Sequence, residues 1–161
     1  RQKLLSLGND FAVTDEHGAV VLRFDGHAFS FADKLTLLDA DGATIGLLRK
    51  RLVSLRQVYD LYKGDTLFAS ISKDLFTVFR EGFTVDVPGP NDYSLRGSFF
   101  DHEYTFWRGG AQVAVVSKAW FSWTDSYGVE VVDGEDVVTI LATAVVIDQL
   151  LHEGRDEDQG A

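Results

Sequence analysis

Along most of the chain the apolar residues come in short aromatic or β-branched runs separated by turn residues. Phe11-Ala12-Val13 leads into Asp15-Glu16-His17-Gly18 and out through Ala19-Val20-Val21-Leu22. Lys34-Leu35-Thr36-Leu37-Leu38 leads into Asp39-Ala40-Asp41-Gly42 and out through Thr44-Ile45-Gly46-Leu47-Leu48. The His-Gly and Asp-Gly pairs at these reversals supply residues that tolerate positive φ, as tight hairpins require. Thr77-Val78-Phe79 and Phe83-Thr84-Val85-Asp86-Val87 alternate with period two, the pattern of strands with one wet face.

A longer beat underlies these runs. The segments around Lys50 (Leu48-Arg49-Lys50-Arg51-Leu52-Val53), Lys73 (Ile71-Ser72-Lys73-Asp74-Leu75-Phe76) and Lys118 (Val116-Ser117-Lys118-Ala119-Trp120-Phe121) align at spacings of 23 and 45 residues. Gly26-His27-Ala28-Phe29 and Gly97-Ser98-Phe99-Phe100 fall near the missing positions of the same beat. About five such units, each with room for two strands and two turns, predict roughly ten to twelve strands. A propeller is disfavoured, because each blade needs about forty residues and at least about four blades are required.

The last element breaks the pattern. Residues 137–147 form an unbroken run of eleven apolar and Thr residues, followed by Asp148-Gln149-Leu150-Leu151-His152-Glu153-Gly154. Asp133 is placed to act as N-cap, Asp136 falls in the first turn, and Gly154 is placed to end a helix after His152. The expected helix, about residues 136–152, turns Val137, Ile140, Leu141, Ala144, Val145, Ile147, Asp148 and Leu151 toward surrounding structure. It has no broad polar face, so it must be enclosed. Eleven residues fall well short of the roughly 20 that a membrane span needs. The reading is one domain over residues 1–154 and an acidic surface tail over residues 155–161.

Composition narrows the functional classes. The chain has 161 residues, a length that suits one core. It has no Cys, which excludes disulfides, thiolate metal sites and cysteine nucleophiles. Fifteen Lys and Arg face twenty-five Asp and Glu, a formal charge of −10 that argues against nucleic acid or an anionic membrane as a general partner. The Asp-rich, Arg-rich bias suits a halophile or an ordinary acidic cytoplasmic protein. Nothing at Arg1-Gln2-Lys3 resembles a signal peptide, and the missing initiator Met implies residues before Arg1 in the natural protein.

Several segments carry a resemblance. Phe29-Ser30-Phe31-Ala32-Asp33-Lys34-Leu35-Thr36-Leu37, Lys50-Arg51-Leu52-Val53-Ser54-Leu55-Arg56-Gln57-Val58-Tyr59, and Ser126-Tyr127-Gly128-Val129-Glu130-Val131 with Ala144-Val145-Val146-Ile147-Asp148-Gln149-Leu150-Leu151-His152 are similar to motifs of the LURP-one-related family. The resemblance spans roughly residues 5 to 153 and implies a mainly β fold. That fold is the closed, antiparallel, twelve-stranded tubby-like β-barrel around a central hydrophobic C-terminal helix, shared with tubby domains and phospholipid scramblases. Tubby domains bind phosphoinositides through basic surface residues, and scramblases are associated with membrane lipids and calcium. No particular lipid ligand of tubby carries over residue by residue.

The residues themselves offer few sites. Arg49, Arg51, Arg56 and Lys63 make the best basic patch, an anion or phospholipid-headgroup site whose Arg forks would grip phosphate oxygens. Alternation sends Lys50 to the opposite face from Arg49 and Arg51. The competing reading is a wet strand face whose Arg residues pair with abundant Asp. Asp133, Glu135 and Asp136 offer oxygen ligands for a metal such as Ca²⁺ but lack an EF-hand loop, and capping explains them more simply. Asp148, set against desolvation and a helix C-terminus, is expected to reach solvent or meet an Arg or Lys. Of the imidazoles His17, His27, His102 and His152, no two have metal-ligand spacing. His102 beside Asp101 and Glu103 is the one weak hint of acid–base chemistry, and Trp107, Trp120 and Trp123 read as core before ligand platforms. The sequence therefore points to a noncatalytic intracellular interaction scaffold without a cofactor, its partner unassigned between a protein and a phospholipid headgroup. The alternatives are a phosphoinositide or anionic-phospholipid binder at a membrane surface and a hydrolase with a cryptic site.

Overall fold

Alternation in the sequence becomes alternation of burial. In β4 (Lys34–Asp39) Leu35 and Leu37 are fully buried while Lys34 and Thr36 lie at the outer face, and β8 (Phe83–Asp86) buries Phe83 and Val85 in the same way. The computed structural model describes residues 2–7, 10–26, 34–53, 56–73, 82–118 and 126–159. The remaining strands are β1 (Gln2–Leu7), β2 (Asp10–Thr14), β3 (Val20–Asp25), β5 (Thr44–Val53), β6 (Arg56–Lys63), β7 (Thr66–Lys73), β9 (Tyr93–Ser98), β10 (Glu103–Arg108), β11 (Ala111–Ser117) and β12 (Ser126–Val131). The helix α1 (Val137–Gln159) follows them.

The fold is mainly β, with an antiparallel sheet and a C-terminal helix. The eleven strands from β2 to β12 lie side by side in chain order. The strand β1 is registered against β2, with Leu4 opposite Val13, and against β12, with Leu4 opposite Tyr127. Two of the expected hairpin turns share one device. The Asp15 carboxylate accepts the N–H groups of His17 and Ala19 at 2.8 and 3.0 Å, and that of Asp39 accepts those of Asp41 and Ala43 at 2.9 Å each. Gly18 and Gly42 close these turns at φ 83°, a region where a Cβ is penalised. The 23-residue beat is one hairpin: Lys50 lies on β5, Lys73 ends β7, Lys118 follows β11, and Gly97 lies on β9. At Gly97 (φ 137°) an added Cβ would sit 2.4 Å from the Glu103 carbonyl oxygen, so β9 and β10 approach too closely there for any side chain.

The inward faces of these strands meet α1. Residues 139–149 of the helix are all buried, against Phe11, Phe24, Leu37, Leu48, Leu61, Ile71, Val85, Phe106 and Val129 among others. No described helix is long and apolar enough to cross a membrane.

Three helix expectations need correction, the first being Val137, which begins the helix outside its enclosed stretch and is 38% exposed. The cap is Asp136 and not Asp133: its Oδ1 accepts the N–H groups of Val138 and Thr139 at 3.1 and 3.3 Å, and its Oδ2 accepts the Thr139 hydroxyl at 2.8 Å. Asp133 is an exposed turn residue before Gly134, whose φ is 92°. At the other end the helix passes Gly154 and runs to Gln159, taking in most of the expected tail. A helical Gly costs only about 1 kcal/mol, and no Pro follows to stop the chain. Residues 160 and 161 lie outside the described residues.

Candidate functional site

The sequence-derived basic patch separates into two places. Arg49 and Arg51 project from the outer face of β5 and are exposed. Their strand neighbour supplies a carboxylate: Asp60 of β6 stands directly across from Arg49 and is 4% exposed. The Arg51 Nε–H donates to Asp60 Oδ2 and the Ser70 hydroxyl donates to Oδ1 at 2.7 Å. The bond to Asp60, opposed by burial, leaves the Arg51 pKa above its ordinary value. Lys34 lies across from Arg49 on the other side. The local surface is therefore a cation strip built around a buried anion.

Lys63 does not join it. It lies five residues beyond Val58, the partner of Arg51, which is roughly 16 Å along the strand. Its Nζ reaches Asp136 Oδ2 at 3.3 Å and lies 3.6 Å from the centre of the Phe68 ring. Arg56 begins β6 opposite Val53, and its side chain is outside the described residues. Lys50 has the inward parity of Leu48, as alternation required, and stands across from buried Tyr59.

The acidic group proposed as oxygen ligands is committed to the start of α1. Glu135 Oε2 accepts from the Tyr93 hydroxyl at 2.8 Å and from Arg108 at 3.1 Å, while Asp136 caps the helix and faces Lys63. Burial first, and then the bond to Glu135, push the Tyr93 phenol up to about 12. The bond to Glu135 raises the Arg108 pKa above its usual value. These contacts tie β6, β9 and β10 to the first turn of the helix. Among the described residues no three His, Cys, Asp or Glu side chains group as a metal site.

A second polar cluster lies deeper. Asp148 is 6% exposed, so the solvent alternative of its expectation fails, and Nε2 of His102 lies 3.4 Å from its Oδ1. The helix-dipole objection to Asp148 weakens because α1 continues to Gln159, leaving desolvation as the main cost. The His102 ring stacks on Tyr127, with centroids 4.5 Å apart and planes at 12°. Tyr127 donates to the Ala144 carbonyl at 3.4 Å, and the buried Tyr104 hydroxyl has no hydrogen-bond partner among the described residues. Desolvation, with the Asp148 charge adding to it, raises both phenols well above the ordinary tyrosine value.

Of the other singled-out residues, His17 is exposed in its turn, 3.7 Å from Glu16. His27, Trp120, Trp123 and the His152 side chain lie outside the described residues. Trp107 faces outward and is partly exposed, its indole N–H donating to Thr105 at 2.9 Å and Arg96 lying 4.9 Å above its ring. The reading of Trp107 as core is thereby corrected. Sequence reasoning missed Asp60, Tyr93 and Arg108. The signal for Asp60 was present as a lone carboxylate inside Val58-Tyr59-Asp60-Leu61-Tyr62, one strand away from the basic run.

Comparison with known proteins completes the description. The profile of the LURP-one-related family matches residues 1–148. The chain is similar to the uncharacterized protein YxjI of Bacillus subtilis (strain 168), at 29% identity over 98% of this chain and 94% of that one. It is similar to LURP-one-related 15 of Arabidopsis thaliana, at 25% identity over 96% of this chain and 79% of that one. A protein from Arabidopsis thaliana solved by X-ray crystallography superposes with a TM-score of 0.69 at 18% identity, covering 92% of this chain and 89% of that one. At that identity the likeness concerns the fold.

Proposed function

Because this chain belongs to the LURP-one-related family, we propose that it is a noncatalytic interaction domain whose working surface is the outside of its sheet. The observation that carries this reading is the burial of residues 139–149 of α1 on every side. A sheet wrapped on a helix in this way has its interior filled by Ile140, Leu141, Val145 and Ile147 and by the strand side chains that meet them. We take the sheet as a closed twelve-stranded barrel, supported by the registers of β1 with both β2 and β12. A hydrolase would need convergent polar groups at an open cleft. The side chains of His102 and, on the helix itself, Asp148 are only 17% and 8% exposed, which suits a structural role.

A second reading, anionic-phospholipid binding, is favoured by the exposed pair Arg49 and Arg51 next to Lys34. The buried Asp60 at the centre of that strip and the charge of −10 weigh against it.

Co-sedimentation with neutral, phosphatidylserine and phosphoinositide vesicles at low and high salt separates the two. The expected result is no saturable binding to any vesicle. Saturable, salt-sensitive binding that disappears in Arg49→Glu with Arg51→Glu would replace the interaction-domain reading with the lipid one. For a protein partner, a photocrosslinker placed at Arg49 or Trp107 should give a discrete adduct in cells, and one placed at buried Leu61 should give none.

A further inference from the structure

We propose that the outer face of β4 to β7 is a self-association surface, covered by the same face of a second copy of this chain in a two-fold dimer. The proposal rests on the reading of the sheet exterior as the working surface, and it names the occupant.

One outward row of side chains crosses four strands. Thr36 of β4 is registered with Leu47 of β5, Leu47 with Tyr62 of β6, and Tyr62 with Leu67 of β7. Leu47 and Tyr62 are partly exposed, and Leu67 is 45% exposed. Leu67 owes its place to a β-bulge. Alternation from buried Ala69 would turn it inward, but the pairing skips Phe68 and sets Leu67 beside outward Tyr62. A second bulge leaves Ile45 between the paired Thr44 and Gly46 at 37% exposure, with partly exposed Leu38 across from Thr44. Apolar side chains gathered on an outer face, where alternation ordinarily puts polar ones, mark an interaction site.

Charge is sorted on either side of this row. Toward one end of β5, Arg49 and Arg51 stand two and four residues from Leu47, roughly 7 and 13 Å along the strand, and both are exposed. Toward the other end, β5 begins three residues before Leu47, roughly 10 Å away, straight out of the turn that carries exposed Asp41. Exposed Asp65 lies in the β6–β7 turn at the same end of the sheet. The order along the strands is therefore cation, apolar, anion.

That order selects a second copy. A two-fold axis laid along the apolar row reverses the strand direction of the facing copy, so apolar meets apolar and the Arg49 side of each copy meets the Asp41 side of the other. An isologous interface requires one patch to be complementary to itself in this way. A foreign partner would have to supply the reverse order, which this chain already carries. The net charge of −10 opposes the encounter at low salt, and at about 0.15 M a Debye length of about 8 Å screens that repulsion more than it weakens pairs in contact. Four strands at about 4.8 Å spacing, over the roughly 25 Å between the charged ends, give about 500 Å² on each copy. Such an area lies at the low end for specific interfaces and sets the expectation of a dimer dissociating at about 10 μM.

The test is sedimentation equilibrium of the purified full chain from about 1 to 100 μM at about 0.15 M salt. The sedimenting mass should climb from one chain toward two across that range, and a monomer at the upper limit would overturn the dimer. Arg49→Glu, Asp41→Arg and Leu67→Ser should each weaken association by about tenfold or more. Mixed in equal amounts, the two charge variants should associate with each other about as well as wild type does with itself, because each then faces the charge it lacks. That rescue also reports that both are folded. A mixture that stays monomeric while wild type dimerises would place the interface elsewhere and overturn the proposal. Where Arg49→Glu fails to fold beside Asp60, Asp41→Arg and Leu67→Ser decide, and undiminished association in both would overturn it. A foreign protein crosslinked at Arg49 in cells, with the purified chain monomeric, would remove the dimer and leave the sheet exterior as the working surface. No adduct of either kind would remove both.

Discussion

The Tyr104 hydroxyl is buried without a hydrogen-bond partner among the described residues, and close enough to Asp148 for the carboxylate to add to the desolvation that raises its pKa. Such a group carries the desolvation penalty of a polar atom with no bond to offset it, so its removal relieves the fold. Tyr104→Phe should therefore stabilise the protein by about 1 kcal/mol near neutral pH, measured by urea unfolding. The same phenol also shapes the alkaline limb. With a folded pKa above the unfolded value near 10, it contributes stability that is intact below pH 10 and lost above it. In Tyr104→Phe the decline between pH 10 and 11 should be shallower by up to about 1.4 kcal/mol. Individual contacts of this kind were the least legible feature of the sequence. That Arg49 and Arg51 share an outer face could be read from alternation, but that Asp60 stands between them depends on the register of β5 on β6, which no single strand encodes. Lys63 was drawn toward the same patch by its proximity in sequence, and the length of β6 carries it away to Asp136.

Elements were more legible than contacts where a local signal decides them. Asp15 with Gly18 and Asp39 with Gly42 fix two hairpins through bonds within five residues, so the turns could be read directly. The helix was legible in its apolar body and not in its ends. Asp133 and Asp136 are both competent caps, and the choice falls to Asp136 because Thr139 and Lys63 converge on its carboxylate. Asp136→Ala should cost about 1 to 2 kcal/mol in chemical denaturation, whereas Asp133→Ala should stay within about 0.5 kcal/mol. The stop signal at Gly154 failed for a simple reason. A glycine permits a left-handed end but does not impose one, and the polar residues that follow are compatible with helix.

At the scale of the molecule, the hairpin beat and the wholly apolar helix led to a sheet wrapped on a helix, because an element with no polar face has to be enclosed by something. The pairing of β1 with both β2 and β12 followed from no single run or turn and entered only as what the family resemblance implies, since it depends on the curvature accumulated over the whole sheet. Truncation after Gly134 should yield insoluble or molten protein, lacking near-ultraviolet circular dichroism and a cooperative melt. The inward faces of Phe24, Leu37, Leu61 and Val129 then have nothing to pack upon. The position of α1 in the chain also sets an order of events during synthesis. Every strand leaves the ribosome before the element on which the strands pack, and at about 5–20 residues per second the strands wait for the helix to emerge. The inward faces of the sheet therefore complete their packing only once the helix is free. Until that moment the nascent chain presents its apolar inner faces to its surroundings, and the interval of exposure is set by the rate of synthesis rather than by any one strand.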